Sequence, residues 1–157
     1  MATRETKSGV PIEVEDFVLR VITQYPYFHR GLEVGCGDGQ RIRIARRRGQ
    51  NLYGTDPKDW KNSWMAQGID PYCQISESQN LPFNDETFDF VIHPKPINEW
   101  PILVELSRVA SRTIWAKCRL GEDADKWFWL DIAVEFGCKV EGFTESTEGN
   151  LILEMRK

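Results

Sequence analysis

Histidine and cysteine are scarce in this chain of 157 residues, with two of the first and four of the second. Cys36, Cys73, Cys118 and Cys138 lie far apart and form no Cys-x-x-Cys pair. Neither a clustered zinc site nor the disulfide framework of a small secreted domain is written in that spacing. Reduced, buried thiols in a cytoplasmic protein are the expectation. No run approaches the roughly 18 consecutive apolar residues that a membrane-spanning helix needs. The segment Met1–Gly9 is polar, with mixed charge and no apolar core of a secretory signal. An excess of positive charge is also lacking: Lys plus Arg is 20 and Asp plus Glu is 24, a net charge of −4. That balance excludes a surface given over entirely to nucleic acid or anionic membrane, while leaving room for a local basic patch.

What is present suits one folded domain. With 41% hydrophobic and 28% charged residues the chain can bury a core. Its length predicts a single domain over residues 1–157, with residues 1–10 as a polar, flexible tail. Apolar runs alternate with helical patterns throughout, the mark of a parallel sheet flanked by helices. Val14, Phe17, Val18, Val21 and Ile22 stripe a first helix that ends near Tyr25-Pro26. Strands are predicted at Gly31–Val34, Asn51–Thr55, Tyr72–Ile75, Phe88–Ile92 and Thr113–Ala116. Helices are predicted at Gln40–Arg48, at about Lys58–Gln67, and over Ile102, Leu103, Leu106, Val109 and Ala110 with Asn98 as N-cap. A last helix carries Trp129, Ile132, Ala133 and Phe136 and is ended by Gly137. Lys139–Phe143 and Leu151–Met155 are joined by too short a loop for a crossover, so the last strand is expected to be antiparallel. The fold predicted is α/β: a three-layer, Rossmann-like sandwich with a seven-stranded, mostly parallel sheet.

Between the first strand and the next helix stands Gly35-Cys-Gly-Asp-Gly39. Glycines there allow a tight turn and a close backbone approach to a ligand. Asp56 follows at the end of the second strand, where a carboxylate can accept both hydroxyls of a ribose. The offset differs from the G-x-G-x-x-G of dinucleotide binders, and Glu33 precedes the first glycine by two places. A carboxylate beside the ligand would repel a pyrophosphate and suit a ligand bearing positive charge.

Leu32-Glu-Val-Gly-Cys-Gly-Asp-Gly39 resembles motif I of the class I S-adenosylmethionine-dependent methyltransferases. Ser76–Phe83 followed by Asp85–Ile92 is similar to that family's stretch before and through the fourth strand, and Glu105–Ala110 resembles its following helix. The resemblance implies S-adenosyl-L-methionine as cofactor and S-adenosyl-L-homocysteine as product. It implies that Glu33 and the backbone of Gly35, Cys36, Gly37 and Gly39 face the methionine end. Asp56 would bind the ribose, Pro57 would lie beside the adenine, and Glu77 and Ser78 would read the adenine edge.

Methyl transfer from a sulfonium is an in-line displacement with a good leaving group, so positioning and removal of water are the main tasks. A general base is needed only when the nucleophile carries a proton. In the family the end of the fourth strand faces the substrate, and here it reads His93-Pro-Lys-Pro96. That departs from the polar-Pro-Pro-aromatic pattern of amino-group methyltransferases. His93 is the candidate base, with packing on the cofactor or a hydrogen bond to a loop as its other role. Lys95 reads as a solvated loop charge before it reads as a receptor for an anionic substrate. Trp100 could shield the pocket, stack on a flat substrate or sit at the core edge, and His29 reads as surface or packing. Arg41, Arg43, Arg46, Arg47 and Arg48 give the second helix a basic face, read as solvated surface in preference to an RNA or DNA footprint. Trp127 and Phe128 stand outside the last helix's stripe, as a partner contact or an edge of the core. The methyl acceptor is not readable. So short a chain leaves an open site, suited to a large substrate, a partner subunit or a homo-oligomer. The competing reading is a non-catalytic cofactor-binding or scaffolding subunit, motivated by His93–Pro96 and by Ala110-Ser-Arg112 where the family usually has Gly-Gly. A nicotinamide-dependent oxidoreductase is the weakest reading.

Overall fold

The first amphipathic stripe folds as helix α1 (Ile12–Gln24), which buries Val18, Val21 and Ile22. The structure, a computed structural model, describes residues 12–24, 27–97, 100–119, 131, 134–135, 137–145 and 150–157. The α1 carbonyl of Ile22 accepts the Gln50 side-chain amide at 2.6 Å, which satisfies one of the acceptors a helix end leaves open. Strand β1 (Gly31–Val34) is buried along its whole length. Helix α2 (Gln40–Arg47) and strand β2 (Leu52–Asp56) follow. Then come α3 (Lys61–Ala66), a 3-10 turn at Asp70–Tyr72 and β3 (Cys73–Ile75). The second half holds β4 (Phe88–Ile97), α4 (Trp100–Val109), β5 (Ala110–Arg119), β6 (Lys139–Glu145) and β7 (Asn150–Arg156).

The strands lie side by side in the order β3-β2-β1-β4-β5-β7-β6. Six run one way, and β7 pairs antiparallel with both β5 and β6. Alternation of side chains across the sheet separates two apolar layers. Leu32, Val34, Val91 and Ile114 meet Leu103, Leu106 and Val109 of α4 on one face. Phe90 and Ile92 meet Val18, Ile22, Ile42, Ala45 and Trp64 from α1, α2 and α3 on the other. Helices thus cover both faces, as a mostly parallel sheet requires.

Three expectations are corrected. The third helix starts at Lys61 and not near Lys58, because Asp56 Oδ1 accepts the Lys58 N–H at 2.9 Å and Asp59 Oδ1 accepts the Lys61 N–H at 2.9 Å. These side-chain turns hold the segment out of the helix. Within α3, Trp64 is a fully buried core residue. The second correction concerns His93–Pro96, expected as a loop; it belongs to β4. His93 pairs with Ala116 and Ile97 with Cys118, so four steps on β4 oppose two on β5. Prolines cannot donate to a ladder, and the strand accommodates them in a bulge. Third, Ala110, expected in the helix, opens β5 directly after α4, so the strand starts three residues before the predicted Thr113.

Most of the last predicted helix lies outside the described residues, as do Asn98, Trp127, Phe128 and the tail. Asp131, Val134 and Glu135 are helical and exposed, and Gly137 follows with φ 69° and its N–H bonded to the Val134 carbonyl at 2.9 Å. Among the described residues no helix is long and apolar enough to cross a membrane.

Candidate cofactor site

The strand order reverses at β1, which has β2 on one side and β4 on the other. Open α/β sheets bind ligands outside the carboxyl ends of their strands at such a reversal. The β1 end runs into Gly35–Gly39, the β2 end carries Asp56, the β3 end leads to Glu77 and Ser78, and the β4 end carries His93 and Lys95. The residues singled out in sequence therefore share one edge of the sheet.

Gly35, Gly37 and Gly39 have φ of 82°, 57° and 83°, the left-handed region that favours glycine. At Gly39 space adds to conformation, since a Cβ would run into Ile69 Cδ1 and the Trp64 ring. The loop's own N–H groups turn inward. Those of Gly35 and Cys36 donate to the Thr55 carbonyl at 2.7 and 2.9 Å, and that of Gly39 to the Cys36 carbonyl at 3.1 Å. Asp38 Oδ1 accepts the Gln40 N–H at 3.2 Å, placing a carboxylate at the start of α2. This is an unsuitable cradle for a pyrophosphate, which needs outward N–H groups at a helix N-terminus.

Asp56 ties the loop to β2. Its Oδ2 accepts the Gly37 N–H at 2.9 Å, and its Oδ1 accepts the Lys58 N–H and, at 3.3 Å, Trp60 Nε1. The Lys95 ammonium approaches Oδ2 to 3.9 Å. Trp64 Nε1 donates to the Gly37 carbonyl at 2.9 Å and Gln67 Nε2 to the Asp38 carbonyl at 2.7 Å, so α3 holds the loop from below.

Glu33 and Arg41 are 0% and 1% exposed, and Arg41 Nε donates to Glu33 Oε2 at 2.6 Å. Arg41 was expected on a solvated basic face and is corrected to a buried partner of Glu33. Arg46 leaves that face too, stacking 3.5 Å above the Tyr72 ring centroid and 4.6 Å from that of Tyr53. The signal for Arg41 is its spacing, since it lies four residues before buried Ala45 and so shares its face of α2. Trp60, Trp64 and Gln67 were missed, because their partners are set by the packing of α3 on the loop.

Cys36 presses against Gly54, where a Cβ would fall 2.7 Å from its sulfur. Its thiol pKa is pushed well up, first by a hydrogen bond with Cys73, then by burial and the Glu33 charge, so it stays protonated. Cys36, Cys73 and Cys138 are free thiols. His93 is buried, and its Nδ1 lies 2.6 Å from the Lys95 carbonyl. A carbonyl only accepts, so Nδ1 carries the proton and Nε2 the lone pair. Burial lowers its pKa to about 4. Pro57 and Glu77 are exposed, and Ser78 is half-buried.

Fold and site define the class: an α/β domain whose glycine loop, at the carboxyl edge of a mostly parallel sheet, is locked to an acidic residue on the next strand. Residues 32–112 match the family described as "Methyltransferase domain", and the chain belongs to that family. A relative from Saccharomyces cerevisiae, tRNA (carboxymethyluridine(34)-5-O)-methyltransferase, is 28% identical over 141 residues. The match covers 85% of this chain and 47% of the yeast protein, so the chain spans about half that relative's length. Among solved structures, a SAM dependent methyltransferase from Aquifex aeolicus superposes with a TM-score of 0.63 at 17% identity, covering 92% of this chain and 97% of that one. The magnesium protoporphyrin IX methyltransferase of Synechocystis, with bound SAM, gives 0.69 at 17% identity, covering 93% and 78%.

Proposed function

We propose that this chain binds S-adenosyl-L-methionine along the carboxyl edge of β1, β2 and β3 and supports in-line transfer of its methyl group, releasing S-adenosyl-L-homocysteine. The observation that carries this reading is Asp56, buried at the end of β2 and bonded to the Gly37 N–H across the loop. The donor set fits this cofactor: a carboxylate at the β2 end for a ribose, and loop N–H groups turned inward and not toward a pyrophosphate. Glu33 and the backbone of Gly35, Cys36, Gly37 and Gly39 would hold the methionine end, and Asp56 the ribose. Pro57, Glu77 and Ser78 would border the adenine, and His93 the methyl side. When bound, the cofactor supplies an activated methyl group. This chain's residues position it and keep water away.

His93 is buried with a low pKa and Nδ1 turned to the backbone, so as a base it is neutral across the physiological range and weak. It serves an acceptor that is already deprotonated better than one whose proton must be removed. A tRNA acceptor is the reading that the yeast relative brings. The basic face of α2 adds little to it, since Arg41 is buried and Arg46 is stacked on tyrosines. The domain is read as one unit over residues 1–157, cytoplasmic, with a partner subunit or second copy completing the open side.

The experiment is transfer of labelled methyl from S-adenosylmethionine to a panel of tRNA, DNA, protein and small metabolites. Label in one class, lost on Asp56→Ala, is the expected result. Cofactor binding with no transfer to any class would favour the alternative, a scaffolding subunit without turnover, which the position of Lys95 across the loop motivates.

A further inference from the structure

The His93–Pro96 segment is unlike a solvated loop in one respect: its backbone is fixed so that a single lysine faces Asp56. Pro94 and Pro96 fix φ on either side of Lys95. The His93 ring holds the Lys95 carbonyl at 2.6 Å, and the strand continues to Ile97 after the bulge. From this mount the lysine stem runs over Gly35, with Cδ 3.7 Å from where a Cβ would stand, and reaches Asp56 Oδ2 at 3.9 Å. Half of the lysine is exposed, at 45%, whereas Asp56 is 1% exposed.

An ionised carboxylate offers about four acceptor positions. Asp56 spends three on the Gly37 and Lys58 N–H groups and Trp60 Nε1. Lys95, at 3.9 Å from Oδ2, is an ion pair and not a hydrogen bond, so it offsets the carboxylate's charge without filling an acceptor position. Two ribose hydroxyls therefore cannot be added to this carboxylate without displacing a donor. The Gly37 and Lys58 donors belong to the glycine loop and to the turn after β2, so Trp60 Nε1, the longest of the three at 3.3 Å, is the donor to give way, while the half-exposed lysine is free to swing into water. Charge points the same way: Glu33 is balanced by Arg41, so Asp56 presents its full charge only once Lys95 leaves.

We propose that Lys95 is a built-in competitor for the cofactor, an affinity-setting residue whose ammonium holds the Asp56 carboxylate that the ribose must take. This rests on the reading of the cleft as the S-adenosylmethionine site. Lys95 thereby weakens binding of both S-adenosylmethionine and S-adenosylhomocysteine.

The test is calorimetric titration of S-adenosylhomocysteine and of S-adenosylmethionine into the full chain, wild type, Lys95→Met and Lys95→Arg. A partly exposed ion pair predicts about two- to fivefold tighter binding by Lys95→Met, with Lys95→Arg close to wild type. The gap between wild type and Lys95→Met should close as salt rises from about 0.05 M to about 0.5 M, because screening removes the competition. Equal or weaker binding by Lys95→Met at low salt overturns the proposal. Absence of binding in all three proteins overturns the reading of the cleft and the competitor with it.

Discussion

Glu33 and Arg41 show how far a single residue's meaning depends on its tertiary partner. A carboxylate buried without compensation costs several kcal/mol, and a paired one is neutral in sum. Arg41→Met should therefore destabilise the protein by about 3–5 kcal/mol in urea denaturation, and Glu33→Gln added to it should recover a large part. His93 carries a second expectation at this scale. Its folded pKa of about 4 is below the ordinary 6.5. On acidification the unfolded chain takes up the proton first. Its contribution is therefore full above pH 6.5 and lost as pH falls toward 4. The loss amounts to about 3 kcal/mol. Unfolding measured across that range should be steeper in wild type than in His93→Gln; parallel curves would show that the ring is accessible to protons.

At the scale of elements, two stretches that resemble the family separately prove to be one network. Glu105 on α4 accepts the Leu81 N–H at 2.7 Å and pairs with Arg108. Arg108 in turn donates to the carbonyls of Leu81 and Phe83 at 2.9 and 2.6 Å and to Asp85 at 3.0 Å. The Leu-Pro-Phe stretch thus hangs from α4, just upstream of β4. Arg108→Ala leaves these backbone acceptors without the guanidinium and should cost about 1–2 kcal/mol. Arg108 holds the Glu105 carboxyl below its ordinary 4.5, so this support is full above that pH and fades below it. A wild-type-like unfolding midpoint in Arg108→Ala would contradict the network.

The elements also show what could be read from sequence. β1, the glycine loop and β2 were legible because their signals are local: an apolar run, glycines at positive φ and an acidic strand end. β4 was read too short because proline marks a break in a sequence, while a bulge lets the strand carry it. α3 was misplaced because Asp56 and Asp59 bond backbone N–H groups that a helix would have used. The expected antiparallel last strand appears as β7. Trp64 was beyond reach for another reason, since burial of a bulky side chain is decided by what packs on it, whereas the spacing of Arg41 from Ala45 was a signal left unused.

On the scale of the whole molecule, the carboxyl edge of the sheet is proposed as a cofactor site organised by Asp56. The chain spans about half the length of the yeast relative. Calorimetric titration of S-adenosylmethionine into wild type and Asp56→Ala tests the claim most directly. The account predicts one site per chain, weakened at least about tenfold by the substitution, as loss of a buried charged acceptor should produce. Equal affinity in the two proteins, or no binding by wild type at millimolar cofactor, would contradict it.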